Sequence, residues 1–276
     1  MTLVRRLATA GFGIALGAAA ARVAFEALTR RPPREEKVWV RHNHRGEPVT
    51  LLEGPAYVAA AAGAVALAPG VPARLRAAGV AAALGAGAFG MYDDLAGSGD
   101  RRGFKGHLGA LAHGEVTSGA VKILGIGTTG LLAGSLLRDK LVDKVLAGVV
   151  IAGAANVVNL FDLRPGRAIK AGLIAGTPGL LRGGPAAGIS APALGAAAAL
   201  LPEDLRERAM LGDAGANALG ALLGLAAAAR ASRAGLLARA AGLIGLMAAS
   251  EKVSFTKVIA DTPVLNAIDW LGRRPA

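Results

Sequence analysis

The chain has 276 residues, of which 53% are hydrophobic, with a mean hydropathy of +0.48 and no cysteine. That apolar content is high for a soluble domain of this length and points to a polytopic membrane protein, while the missing cysteines exclude disulfides and thiolate-held zinc. The formal charge of +12 does not mark a nucleic-acid binder, because the basic residues are spread over loops and form no stripe interleaved with aromatics.

An Ala-rich soluble bundle is the alternative, but the apolar runs show no polar face at helical period. Charge-free stretches at 7–21, 54–73, 77–92, 123–137, 145–161, 171–181, 183–202, 214–229 and 240–250 predict about nine transmembrane helices. Residues 1–27 also read as a signal peptide, with Arg5 and Arg6 before an apolar core, although a retained first span suits a polytopic chain better. Several stretches are shorter than the ~20 residues a bilayer core needs. Lys122, Lys170 and Arg239 stand where they can snorkel from span ends. Thr177-Pro178-Gly179 inside 171–181 predicts a broken helix.

With the N-terminus outside, the inner segments are 28–53, 93–116, 162–170, 203–212 and the tail 251–276, and they hold 18 of the 31 Lys and Arg. The positive-inside rule then predicts an N-out, C-in topology. The fold expected is an all-α helical bundle in the cell membrane, a single integral membrane domain over residues 1–276 with cytoplasmic loops. This orientation puts Asp93, Asp94, Asp162 and Asp213 at the cytoplasmic ends of their spans. Carboxylates are costly in a membrane, so their convergence on one face predicts a functional site.

Mg²⁺ takes oxygen ligands, and one or two carboxylates with waters and substrate phosphates suffice. Asn156 and Asn159 stand three apart on one helix face, and Asp162 continues it. Arg164, Arg167 and Lys170 follow at once, as cytoplasmic anchors or as partners for phosphate, to which the arginine fork is suited. Lys122 enters its span where it would snorkel or meet a lipid phosphate. His107 and His113 are six apart and read as solvated loop residues. Gly212-Asp213-Ala214-Gly215 is weak alone and gains weight only beside the other motifs.

The order Asp93-Asp94, then Asn156-x-x-Asn159-Leu-x-Asp162, then Gly212-Asp213-x-Gly215 resembles the polyprenyl-phosphate N-acetylhexosamine-1-phosphate transferase superfamily, which includes enzymes of peptidoglycan synthesis. The resemblance runs from about Asn43 to Gly224, and Arg45-Gly-Glu-Pro48 through Gly54 is similar to the family's first cytoplasmic loop. It implies Mg²⁺-dependent transfer of a sugar-1-phosphate from a UDP-sugar to a polyprenyl phosphate, with release of UMP at the cytoplasmic face. It also implies roles: Asp93, Asp94 and Asp162 in catalysis, Asp213 with Asp162 or Asp93 on the metal, and Asn159 and Lys122 on substrate; the residues themselves add Asn156, on the face of Asn159, and Arg164 and Arg167 as further expected substrate contacts. The partners implied are the lipid phosphate, the nucleotide-sugar and the membrane, with no nucleic acid; a homodimer is one assembly the chain allows.

Three features depart from the family. Pro165 stands where a second aspartate is usual, Leu95-Ala-Gly-Ser-Gly-Asp100 replaces lysines after the paired aspartates, and no histidine follows His113. These departures keep one rival open, an altered member that binds polyprenyl phosphate or nucleotide as a scaffold; a transporter, which broken helices and intramembrane charge would suit, is the second.

Overall fold

A computed structural model describes residues 3–97, 109 and 113–275. The loop motif around Phe104 and His107 lies outside these residues. Eleven α-helices occur among the described residues. The first five are α1 (Leu3–Arg30), α2 (Glu53–Ala66), α3 (Ala73–Ala96), α4 (Ser118–Leu137) and α5 (Leu141–Phe161). Then come α6 (Arg167–Arg182), α7 (Gly184–Leu205), α8 (Gly212–Ala229) and α9 (Arg233–Ser250), followed by two short helices, α10 (Phe255–Asp261) and α11 (Pro263–Trp270).

Each expected apolar stretch falls largely within one of α1 to α9. Five of these helices (α1, α3, α4, α5 and α7) are long and apolar enough to cross a membrane, or six if α9 and α10, bent by 91° at residues 251–254, count as one broken span. Helices α2 and α6, with 14 and 16 residues, fall short of the ~20 that a bilayer core asks for. No break occurs at Thr177-Pro178-Gly179: α6 runs through Pro178, and the Thr177 hydroxyl donates to the Leu173 carbonyl at 2.7 Å.

Helix α8 is the axis of the bundle. All its residues except Asp213, Ala227 and Ala229 are buried, and it packs on α2, α3, α5, α6 and α7. Small residues make this possible, because helices in a bilayer gain by close backbone approach rather than by hydrophobic exclusion. At Gly220 the α8 backbone lies directly on the Ala154 carbonyl of α5, and at Gly90 the α3 backbone lies on the Asp213 carbonyl. Helix α1 lies outside this group, mostly exposed, against α2 and α7.

One element has no counterpart in the helical reading. Residues 40–50 form an antiparallel hairpin, β1 (Val40–His42) and β2 (Pro48–Thr50), paired Val40 to Thr50 and His42 to Pro48. Asn43 Oδ1 accepts the Arg45 and Glu47 N–H groups, both at 2.9 Å, and so holds the turn. Thr50 exchanges backbone bonds with Arg208 and Met210, which ties the hairpin to the segment just before α8. Trp39, Leu51 and Leu52 bury the contact.

A bulky side chain at Gly220 must push α5 away. Gly220→Leu is expected to cost about 1–3 kcal/mol or more, read as a lower melting temperature of the purified protein in detergent. An unchanged transition would refute the close approach.

Candidate active site

The site forms around the start of α8. Gly212 adopts φ +62°, and a Cβ there would come within 3.0 Å of Leu51 and 3.1 Å of the Asp94 carboxylate. Helix-opening N–H groups lack intrahelical partners, and here carboxylates from two other helix ends supply acceptors. Asp162, just past α5, accepts the Gly212 N–H. Asp94, in the last turn of α3, accepts the N–H of Asp213 at 3.0 Å and of Ala214 at 2.9 Å. Negative charge at a helix N-terminus also suits the helix dipole. Three motifs far apart in sequence thus meet at one point.

Beside this cap lies a charge triad. The Lys122 ammonium, one turn into α4, contacts Asp93 Oδ2 at 2.6 Å and Asp213 Oδ2 at 2.5 Å. The two carboxyl groups also touch each other, and Ser118 donates to Asp93. Side-chain exposures of 14% for Lys122, 16% for Asp93 and 27% for Asp213 leave the triad reachable from the end of the bundle. Asn217, fully buried one turn on, donates to the Asp213 carbonyl at 2.7 Å. Arg41 of the hairpin bonds the Asp94 carbonyl, so the hairpin, α3 and α8 are tied together.

On the other side of Asp162 is a cleft of about 240 Å³ lined by His42, His44, Arg164 and Glu207 among others. Burial first, then the charges of Asp204, Asp213 and Asp94, push the Asp162 carboxyl well above the usual carboxylate range, against the Gly212 N–H. Glu207 sits at φ +57°, held by Asn43 at 2.6 Å and Arg45 at 3.3 Å. Burial lowers the His44 pKa although Glu207 opposes the shift. Asn159 Oδ1 is buried without a hydrogen-bond partner among the described residues, and Asn156 is half-buried on the same helix. His113 is exposed on its own loop, bonded to the Gly109 carbonyl at 2.7 Å.

Several residues here escape sequence reading. Glu53, at the start of α2, has no exposed surface and no hydrogen-bond partner for either carboxylate oxygen among the described residues. Asp204 is buried and accepts the Gly166 N–H. Both belong to helix ends that carried acids in the sequence, but only packing shows them turned inward.

Arg167 is not available to a phosphate. Its guanidinium grips Asp269 of α11 at 2.7 and 3.0 Å and Thr256 of α10 at 2.9 Å, and the residue is 6% exposed. Lys170 caps the same helix through the carbonyls of Ile268, Asp269 and Leu271. Arg273 adds a second cation to Asp269 at 2.8 Å and stacks on Trp270, 4.4 Å from the ring centre. Arg274 pairs with Glu47 at 2.7 Å, and Phe255 stacks on Phe161. The cations after Asp162 thus serve to dock the tail against the site, and only Arg164 stands in the cleft.

No family model and no curated protein matches the chain. Among the described residues, no group of three or more His, Asp or Glu is arranged to hold a metal by itself. The Asp93–Asp213 pair does fit a Mg²⁺ completed by water and substrate oxygens: the Lys122 ammonium already stands as a cation between these two carboxylates.

Two outcomes follow from these bonds. Asp94→Ala should cost about 1–3 kcal/mol, because two buried N–H groups lose their acceptor; Asp94→Asn, which keeps one acceptor oxygen, should lose less. Melting temperatures in detergent report the difference, and equal losses would refute the capping role.

The tail docking carries a pH signature. Burial raises the Asp269 pKa, but the Arg167 fork and the nearby Arg273 and Lys170 charges outweigh it and hold the carboxyl below its ordinary 3.8. A depressed carboxyl stabilises docking fully above its unfolded value and loses that contribution as pH falls through the folded value. Limited acid proteolysis should therefore find residues 251–254 protected at pH 5 and cut only below about pH 4, whereas Arg167→Ala should be cut at both. Equal cutting of the wild-type chain across that range would refute the pairing.

Proposed function

We propose that the chain is a membrane transferase with about nine spans, N-out and C-in, that moves a sugar-1-phosphate from a UDP-sugar to a polyprenyl phosphate at the cytoplasmic face. The observation that carries this reading is the meeting of Asp93, Asp162 and Asp213, from three separate motifs, at one end of α8 beside a reachable lysine.

The reaction forms a bond between an acceptor phosphate oxygen and the donor's sugar-linked phosphorus, and breaks the bond to the UMP oxygen. Asp93 and Asp213 would hold Mg²⁺, and when bound the metal neutralises charge on the phosphoryl oxygens. Lys122, freed by substrate from its carboxylates, would receive the lipid phosphate. Arg164 and the cleft beside Asp162 would take the donor; about 240 Å³ suits one part of it, such as the nucleoside. Asp162 gives Asp213 its place by holding Gly212. Asp94, with both oxygens on backbone N–H groups, acts as a positioning residue rather than a base.

One observation favours the scaffold reading instead: the Lys122 ammonium contacts both Asp93 and Asp213, as in a purely structural triad. Purified protein with Mg²⁺, undecaprenyl phosphate and a panel of UDP-sugars distinguishes the two. The transferase reading expects UMP release that Asp213→Asn lowers at least about 100-fold, a loss of the size seen when one transition-state contact is removed. Lipid binding without UMP release from any donor would replace it with the scaffold. Arg164→Lys should raise the donor KM with little change in the melting temperature, since the charge stays and the fork is lost.

A further inference from the structure

The opposite end of the bundle holds a second cleft, of about 490 Å³, between the ends of α6, α7, α8 and α9. Arg182, the last residue of α6, Arg230, which ends α8, and Arg239 of α9 all line it. Acidic residues are absent from its described lining. Ser190 of α7 also lines it; the residue is 1% exposed, and its Oγ has no hydrogen-bond partner among the described residues. A buried hydroxyl left unpaired is costly, so its place in a basic cleft points to a polar ligand.

The arginines at this end fall into two sets. Arg74 pairs with Asp139 at 3.3 Å, Arg233 pairs with Asp143 at 2.6 Å, and Arg138 bonds the carbonyls of Ala228 and Ala231. The guanidinium groups of Arg182 and Arg230 have no hydrogen-bond acceptor or carboxylate partner among the described residues. Arg230 lies over the start of α7, its Nη1 2.8 Å from where a Gly184 Cβ would stand, and α7 has no side-chain cap there. A guanidinium against the positive end of a 22-residue helix is unfavourable unless an anion joins them. Arg239 spends one nitrogen on the Gly235 carbonyl and keeps further donors.

The source of the anion is indicated by what adjoins the cleft. An apolar groove of about 520 Å³ along α5, α6, α8 and α9 shares Ala175, Leu223, Ala227 and Arg239 with it. We propose that this continuous cleft and groove bind an anionic phospholipid of the leaflet opposite the carboxylate site, its phosphate on Arg182, Arg230 and Ser190 and one acyl chain in the groove. The proposal rests on the membrane reading but not on the transferase reading.

Native mass spectrometry of the full chain in neutral detergent tests it, with dioleoylphosphatidylglycerol, dioleoylphosphatidylcholine and inorganic phosphate as probes. Phosphatidylglycerol should be retained over phosphatidylcholine. The Arg182→Gln/Arg230→Gln double variant should weaken its binding at least about tenfold, the size expected for lost charge-assisted hydrogen bonds. Ser190→Ala, which alters no charge, should weaken it roughly threefold, and it decides the matter if the double variant does not fold. Arg74→Gln removes a charge from the same end outside the cleft and should change nothing. Equal retention of the two lipids, binding indifferent to Ser190→Ala, or an Arg74→Gln effect as large as the double variant's would overturn the site. Displacement of the lipid by millimolar phosphate would overturn the lipid and leave a phosphate-ion site.

Discussion

Everything at the candidate site depends on how the first turn of α8 is held. Its opening N–H groups would be orphaned in a low-dielectric bundle, where an unpaired donor is expensive. The chain answers with carboxylates from the ends of two other helices: Asp162 takes Gly212, and Asp94 takes Asp213 and Ala214. This places the Asp213 side chain against Asp93 and Lys122. The same contacts need Gly90 and Gly212, because a side chain at either position would collide with the cap or its carbonyl. Motif spacing, helix packing and electrostatics therefore have one common cause.

The charge triad is the part that can change state. A lysine between two aspartates at 2.5 and 2.6 Å offsets one charge of a pair of carboxylates that would otherwise repel. It also keeps a cation at the point where a phosphate-rich ligand and its metal would arrive. Partial exposure of all three side chains makes exchange of the lysine for another cation physically reasonable, since the desolvation cost is shared with water.

The two ends of the bundle use arginine differently. At the carboxylate end, Arg167, Arg273 and Arg274 are paired with Asp269 and Glu47, so positive charge there is spent on holding the tail across the site. At the other end, Arg182 and Arg230 face a cleft with no described acid in its wall. The arginines of the carboxylate end are accounted for by their acidic partners. The pair at the other end, without a described carboxylate partner, is therefore the more informative feature.

The sequence by itself determined where the apolar helices run and where their charged ends fall, because hydropathy and the spacing of charges punctuate the chain locally. It also marked Asp93, Asp162 and Asp213 as helix-end carboxylates. It could not show which end-residues pair, since those bonds join positions far apart: 102 residues separate Arg167 from Asp269, and 119 separate Asp94 from Asp213. Arg164 and Arg167 look alike in sequence, yet only packing puts one in the cleft and the other on the tail. The hairpin had a local signal in Gly46 and the β-branched Val40, Val49 and Thr50, hidden by a reading tuned to helices. Span length was decided by tertiary structure too: α2 and α6 stop short because the chain turns after Ala66 and at Gly183, where the backbone takes φ +70°. Burial of Glu53, Asp204 and Ser190 likewise belongs to packing alone, for a polar residue near a helix end faces water or core according to its neighbours on other helices.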